Sequence, residues 1–453
     1  DVLETLTALL PYEWGLSAQD FYEYPTIKKL AEFINKKSES LRLKADNYYN
    51  YPKKVNYSTK INNDNEKVIK GDILLTGATG FLGIHILKEL YDLFPHNIYC
   101  LVRGKDFKQK FETMLSFYFP DIDKKEFYKK VILINGDITH QGMGLSEKDY
   151  QIIQKKVKSI IHSASLVKHY GNYTEFENVN VQGTKNLITY CLETSSSLSY
   201  VSTISVSGNF TYSGEAEKRF SEDDFFIGQD INSNVYLKSK FEAELLIQKA
   251  MKEGLKATIY RVGILTGRFL DGKFQYNIKE NAFYRTLRSI FALRFLPESV
   301  FGDYLEFTPV DLCARALVIL FMKNGFSQPV FHLFNHNMIK IEEFLELLKL
   351  EGIEVQKISD DAFRDLISSI SNTAKGKQIL SGIITAWGSQ GLSFSPKIEV
   401  DSAKTVKLLD DNGFKWPEIT GEYIEKIIQY MDSVGFLYEN EEKEGFLNYI
   451  QNM

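Results

Sequence analysis

Through the middle of the chain, short apolar runs alternate with stretches of helical periodicity. The runs at 73–76, 98–102, 131–135, 159–162, 199–202 and 258–262 are short and rich in aliphatic or β-branched residues, as expected of strands buried on both faces. Between them lie helical patterns that open at Phe81, Tyr173 and about Val235. This alternation predicts right-handed βαβ crossovers and a doubly wound parallel sheet, an α/β fold. Beyond about Phe269 the strand pattern weakens, and helical spacing dominates at 280–296 and from 341 onward. The reading is a nucleotide-binding-sized unit over 71–270 and a smaller, mostly helical lobe over 271–453. A strand-like run at 330–335 is expected to return to the sheet, within a return over 305–335.

The first 34 residues read as short helices, the last opened by Pro25, whose missing N–H costs nothing at a helix start. Residues 39–70 are rich in Lys, Asn, Ser, Asp and Tyr and lack apolar periodicity, so they read as a linker. Tyr48, Tyr49 and Tyr51 are candidates to pin it to a neighbouring surface.

Composition narrows the function classes. The chain has 453 residues, 44% hydrophobic and 25% charged, which suits a large buried core and argues against global disorder. A net charge of −5 offers no basic field for nucleic acid. Cys100, Cys191 and Cys313 are far apart without metal-ligand or disulfide spacing, so no metal site is expected and a reducing cytoplasmic location is. The longest apolar run, 314–322, is too short to span a bilayer. A start at Asp1 reads as a piece of a longer polypeptide.

The chemistry gathers where predicted strands end. Thr76-Gly77-Ala78-Thr79-Gly80-Phe81-Leu82-Gly83 follows the first strand and opens a helix. There glycines close the turn and let backbone N–H groups reach a pyrophosphate, which the helix dipole favours. This is the dinucleotide-binding signature of a Rossmann-type domain. At the end of the second strand, where a carboxylate would select NAD, stands Arg103, which can pair a 2′-phosphate; the cofactor is therefore read as NADPH. Lys105, Lys108 and Lys110 either add charge or form a wet helix face. Asp137 and Ile138 end the third strand, and Ser163, Ala164 and Ser165 follow the fourth. Asp137 is expected to accept from the adenine amine and the serines to line the cofactor. His162, ending an apolar strand, reads as a satisfied core residue in preference to a base.

Tyr236 and Lys240 share a helix face at i, i+4 spacing. An ammonium beside a phenol would lower the phenol's pKa and make it a usable proton donor. The 199–202 strand would present Thr203 to the same pocket.

Taken in order, TGATGFLG, VSTISV and YLKSK resemble the extended short-chain dehydrogenase/reductase superfamily over residues 71–335, helped by Arg261-Val262-Gly263 and Thr308-Pro309-Val310-Asp311. The resemblance implies Thr203, Tyr236 and Lys240 as the catalytic triad. It implies a cofactor site at Gly77, Gly80, Gly83 and Arg103, with Val262 and Gly263 beside it and Asn180 in support. The segment DFYEYPTIKKLAEFI resembles the end of an acyl or peptidyl carrier domain, placing residues 1–38 as its C-terminal part. The serine bearing phosphopantetheine would then lie upstream of this numbering. With LVRGKD and the tail NGFKWPEITGEYIEKIIQYMDSVGFL, the chain is similar to terminal thioester reductase domains of nonribosomal peptide synthetases and to carboxylic acid reductases.

That likeness implies NADPH-dependent reductive release of a carrier-bound acyl or peptidyl thioester as an aldehyde, or onward to the alcohol. The implied partners are a carrier domain, in cis, and upstream synthetase modules. Two rivals share the fold. A sugar-nucleotide epimerase or dehydratase would recruit Arg285, Arg288 and Arg294 for a diphosphate. An NADP-sensing binding protein would need no proton donor, and Tyr236 argues against it.

Overall fold

The computed structural model describes residues 18–34, 51–55, 71–168, 171–208, 219–232, 234–324, 328–371, 376, 379, 380 and 398–437. Helix α1 (Ala18–Glu23) precedes a seven-stranded sheet. Its strands are β1 (Asp72–Thr76), β2 (Ile98–Val102), β3 (Val131–Asn135), β4 (Val157–His162), β5 (Ser197–Thr203), β6 (Ala257–Val262) and β7 (Val330–Leu333). They lie in the order β7-β6-β5-β4-β1-β2-β3, and every pairing is parallel. The doubly wound sheet expected from the alternation is therefore present, and the 330–335 run does join its edge.

Burial explains the apolar runs. All five residues of β1 and of β2 are buried, because helices cover both faces of the sheet. Helices α2 (Phe81–Leu93) and α6 (Val310–Asn324) share a core with Ile73, Leu75, Val201 and Val262. Helices α3 (Gly183–Thr194) and α4 (Val235–Lys252) cover the other face over Leu74, Leu198 and Ile259. Helix α5 (Ala282–Leu293) belongs to a third core with Phe307, Phe344, Ile424 and Met431.

Strand order fixes where a ligand can sit. From β1 the chain runs outward through β2 and β3, then crosses back to β4 on the other side of β1. Adjacent loops leave the sheet in opposite directions at that switch point, which opens a crevice at the carboxyl edge. Residues 398–416 also return to the sheet: Thr405 Oγ1 accepts from His332 N at 3.0 Å, and Leu409, Phe414 and Trp416 join the β1 core. Tyr51 of the linker packs on Phe226 and Phe241. Tyr48 and Tyr49 lie outside the described residues.

One charged node ties these layers together. Arg261 of β6, fully buried, donates to both oxygens of the equally buried Glu244 on α4, with Nη2 at 2.8 Å. Its Nη1 donates to the Asp224 carbonyl at 2.9 Å and lies 3.1 Å from His332 Nε2. Glu244 also accepts from Ser202 Oγ at 2.5 Å. Truncating one member would strand the other's charge without water, a loss of about 3–5 kcal/mol. Glu244→Ala is accordingly expected to lower the unfolding free energy by about that amount in urea titration, and a change under about 1 kcal/mol would show that the node does not bear on stability.

Candidate active site

The turn after β1 is built by glycines at two contacts. Gly77 has φ +78, and a side chain there would drive a Cβ to 2.6 Å from Ala164 N in the loop after β4. At Gly83 a Cβ would stand 2.0 Å from the Gly77 carbonyl oxygen, so the first turn of α2 packs directly on the loop. Gly80 caps α2 in an extended conformation with no side-chain cap, which leaves the first-turn N–H groups to a ligand. Thr79 and Phe81 are partly exposed beside this turn, whereas the Leu82 side chain is buried. A close-packed, uncapped helix start at the switch point fits the diphosphate of a dinucleotide.

Other predicted cofactor residues divide into those that face the crevice and those committed to the framework. Arg103 follows β2 with its side chain 65% exposed, its Nη1 3.6 Å from Asp137 Oδ2. Asp137 accepts from Thr139 N and Oγ1, both at 2.9 Å, through Oδ1. Burial alone would raise its carboxyl, but the Thr139 hydrogen bonds and the Arg103 charge outweigh it and hold the group below its ordinary range. Ser163, Ala164 and Ser165 are partly exposed after β4.

Thr76 is different from its expected role. Its hydroxyl is buried against His162 Nδ1 at 2.7 Å and so ties β1 to β4. The Ile138 side chain is also buried and touches the position of a Gly183 Cβ, while its carbonyl accepts from Asn186 at 2.7 Å. Neither side chain is open to a ligand. His162 is a satisfied core residue: it also meets Thr184 at 3.3 Å, and burial followed by the Lys240 charge lowers its pKa to about 3.

Local structure places Thr203 and Tyr236 at the carboxyl edge of the sheet. Thr203 ends β5 and accepts from Ser205 N at 3.2 Å, which bends the chain away from the sheet. Asn234 caps α4 by accepting from Tyr236 N at 2.8 Å and Leu237 N at 3.3 Å, so Tyr236 enters on the first helical turn. The Thr203 hydroxyl acts on the Tyr236 phenol and favours its charged form. Asn180 sits in a π-helical stretch, Glu177–Gln182, where it accepts from Leu166 N at 2.8 Å and donates to Ser239 Oγ at 2.8 Å. It thereby joins the loop after β4 to the helix that carries the triad.

The expected electrostatics require a correction. Lys240 does not lower the Tyr236 pKa: its ammonium donates to the Val201 carbonyl at 2.6 Å and lies 4.1 Å from the Tyr200 ring centre. Burial pushes the Tyr236 phenol above its ordinary value, and the Thr203 hydrogen bond works against that rise. Lys240 itself is driven down to about 7, by burial first, with Glu244 opposing. An amine near half-protonation, facing another strand, supplies little field to the phenol.

Two carboxylates near the site escaped sequence reasoning. Glu244 continues the 236/240 spacing by four residues, a signal that was available on the helix face. Glu306 interrupts an apolar run; its Oε1 accepts from Ile264 N and Thr308 Oγ1, both at 2.7 Å. A Cβ on Gly263 would meet that same oxygen at 1.9 Å. Among the described residues, no group of three or more His, Cys, Asp or Glu could hold a metal, and no helix is long and apolar enough to cross a membrane.

Comparison with known proteins agrees with this geometry. The chain is 28% identical over 374 residues to a linear gramicidin synthase polypeptide of Brevibacillus parabrevis, covering 80% of this chain but 7% of that protein. It therefore spans a small part of that relative's length. Among solved structures it is similar to a thiolation-reductase di-domain from an archaeal non-ribosomal peptide synthetase, with a TM-score of 0.77, 26% identity, and 96% of this chain and 92% of that one covered. It is also similar to the terminal R domain of the myxalamid PKS-NRPS pathway, with a TM-score of 0.71, 27% identity, and 82% and 93% covered. The family of NAD-binding domains described as Male sterility protein matches residues 75–317, more than half of the chain, and with the glycine turn and the site after β5 in place the chain belongs to that family.

Proposed function

We propose that the chain is an NADPH-dependent reductase that releases an acyl or peptidyl thioester from a carrier domain as an aldehyde, with the alcohol as the product of a second reduction. The observation that carries the reading is the place of Thr203, at the end of β5, and of Tyr236, on the first turn of α4, at the carboxyl edge of a nucleotide-binding sheet. The likeness of nearly the whole chain to a thiolation-reductase di-domain supports the carrier assignment for residues 1–38, a linker over 39–70 and a C-terminal substrate lobe.

A bound nicotinamide supplies the hydride. In this reading the Tyr236 hydroxyl donates to the oxyanion as the thioester carbonyl is attacked, with the Thr203 hydroxyl beside it. The raised Tyr236 pKa keeps the phenol protonated at neutral pH, so it is available to donate. Lys240, close to half-protonated at neutral pH, is held on the Val201 carbonyl. The Gly77–Gly83 turn binds the diphosphate, and Arg103 pairs the 2′-phosphate.

A sugar-nucleotide reading draws less support, because two of the three arginines it needs are engaged elsewhere. Arg294 donates to the Gly352 carbonyl at 3.3 Å, and Arg288 stacks over Phe436.

Arg103→Ala should raise the NADPH KM by about 10–100-fold, the worth of a charge-assisted pair, and leave the NADH KM nearly unchanged. Equal changes for the two cofactors would remove Arg103 from the phosphate site. For the reaction itself, NADPH oxidation is to be compared with an acyl group on the complete carrier, on free pantetheine, and as the free acid without ATP. Tethered delivery raises effective concentration, so the carrier substrate should be fastest and the acid inert. Robust turnover of the free acid would overturn the reading.

A further inference from the structure

Glu306 lies where the proposed chemistry needs a second acid. Thr203 of β5 is in register with Val262 of β6, and Gly263 is the next residue beyond the sheet edge. The Glu306 carboxyl occupies the space that a side chain on Gly263 would fill. It therefore stands one residue beyond the strand-end level of Thr203, on the same carboxyl edge.

The carboxyl is anchored by one oxygen. Oε1 accepts from the Ile264 N–H and the Thr308 hydroxyl, both at 2.7 Å. The Thr308 oxygen is itself held by Asn335 N at 2.9 Å, which aims the hydroxyl proton at Glu306. Oε2 accepts no hydrogen bond among the described residues, and the Glu306 residue is partly exposed. The edge beside it is apolar: Ile264 is 42% exposed and Met338 is 38% exposed. The residue before Glu306, Leu305, pairs with Ile339, the residue after Met338. Among the described residues no cation is paired with the carboxyl; the titratable neighbours on α6 are the buried Cys313 thiol and Asp311, whose oxygens accept from Phe269 and Leu270 N–H.

We propose that Glu306 is a catalytic acid that protonates the departing thiol sulfur when the thiohemiacetal collapses. This rests on the thioester reductase reading. In that step the hydroxyl proton of the thiohemiacetal returns to the Tyr236 phenolate, the C=O bond forms, and the C–S bond breaks with its electron pair going to sulfur. The Oε2 proton of Glu306 is transferred to that sulfur. The products are aldehyde and free thiol, with Glu306 left as a carboxylate that solvent reprotonates. Burial pushes the carboxyl up to about 7, against the Thr308 and Ile264 hydrogen bonds. Near neutral pH a substantial fraction therefore carries the proton, and the fraction falls as pH rises through that value.

The test uses Glu306→Gln, which keeps an oxygen for Ile264 and Thr308 and cannot transfer a proton. Turnover of the full chain is measured with alkyl thioesters whose thiols differ in basicity, and with the matching aldehyde, which has no leaving group. The variant should lose on the order of 10²-fold on the most basic thiol, progressively less on more acidic thiols, and little on the aldehyde. In the cofactor-free wild type, a ¹³C carboxyl resonance assigned by its disappearance in Glu306→Gln should titrate near pH 7. Equal losses on thioester and aldehyde, no loss on the most basic thiol, or a carboxyl midpoint below about 5 would each overturn the proposal. A wild-type chain that reduces the aldehyde but no thioester would instead overturn the thioester reading.

Discussion

The buried pair of Arg261 and Glu244 is the interaction on which the rest of the site depends. A guanidinium cannot shed its proton, so burying one inside a sheet demands a carboxylate and a full set of acceptors. Glu244, the Asp224 carbonyl and His332 meet that demand from a helix, a loop and the edge strand. Because Glu244 also holds Ser202, the residue before Thr203, the node fixes the end of β5 relative to the helix bearing Tyr236 and Lys240. Its satisfaction is directional in a way that apolar packing is not. The neighbouring hydrophobic faces could tolerate a shift in helix rotation, whereas bidentate geometry tolerates little.

Around that node the two halves of the site obey different constraints. The cofactor half is steric: at Gly77 and Gly83 any side chain would collide with backbone, so the loop after β1, the loop after β4 and the start of α2 form one packed surface. The catalytic half is electrostatic. Low dielectric around Tyr236, Lys240 and Glu306 disfavours their charged forms, which keeps the phenol protonated and brings both the carboxyl and the amine to about 7. Burial thus sets the proton inventory of the crevice before any ligand enters it.

Much of this could be read from residue order. Strand runs such as ILLT and IYCLV are apolar because both faces of the sheet are covered, and the glycine turn announces itself by its place between a strand and a helix. Thr203 stands at the end of β5, Tyr236 on the first turn of α4, and Asn180 is bonded to Ser239 of that helix. What stayed hidden depends on contacts across many residues. Lys240 shares a helix face with Tyr236, but spacing cannot reveal that the Val201 carbonyl, 39 residues away, holds its amine. Thr76 and Ile138 occupy motif positions, yet their side chains face the framework. Residues 398–416 look like more of the helical lobe, and their return to the sheet shows in the hydrogen bond from His332 to Thr405 and in the packing of Leu409, Phe414 and Trp416.

The central claim is that this site passes a hydride to a thioester carbonyl carbon under protonation by Tyr236. Its most direct measurement is the rate at which label appears in the aldehyde when the chain acts on a pantetheine thioester with NADPH deuterated at C4 of the nicotinamide, read by mass spectrometry. The account predicts deuterium at the aldehyde carbon, with Tyr236→Phe slowing its appearance on the order of 10²-fold. Label absent from the aldehyde, or appearing equally fast in the variant, would contradict it.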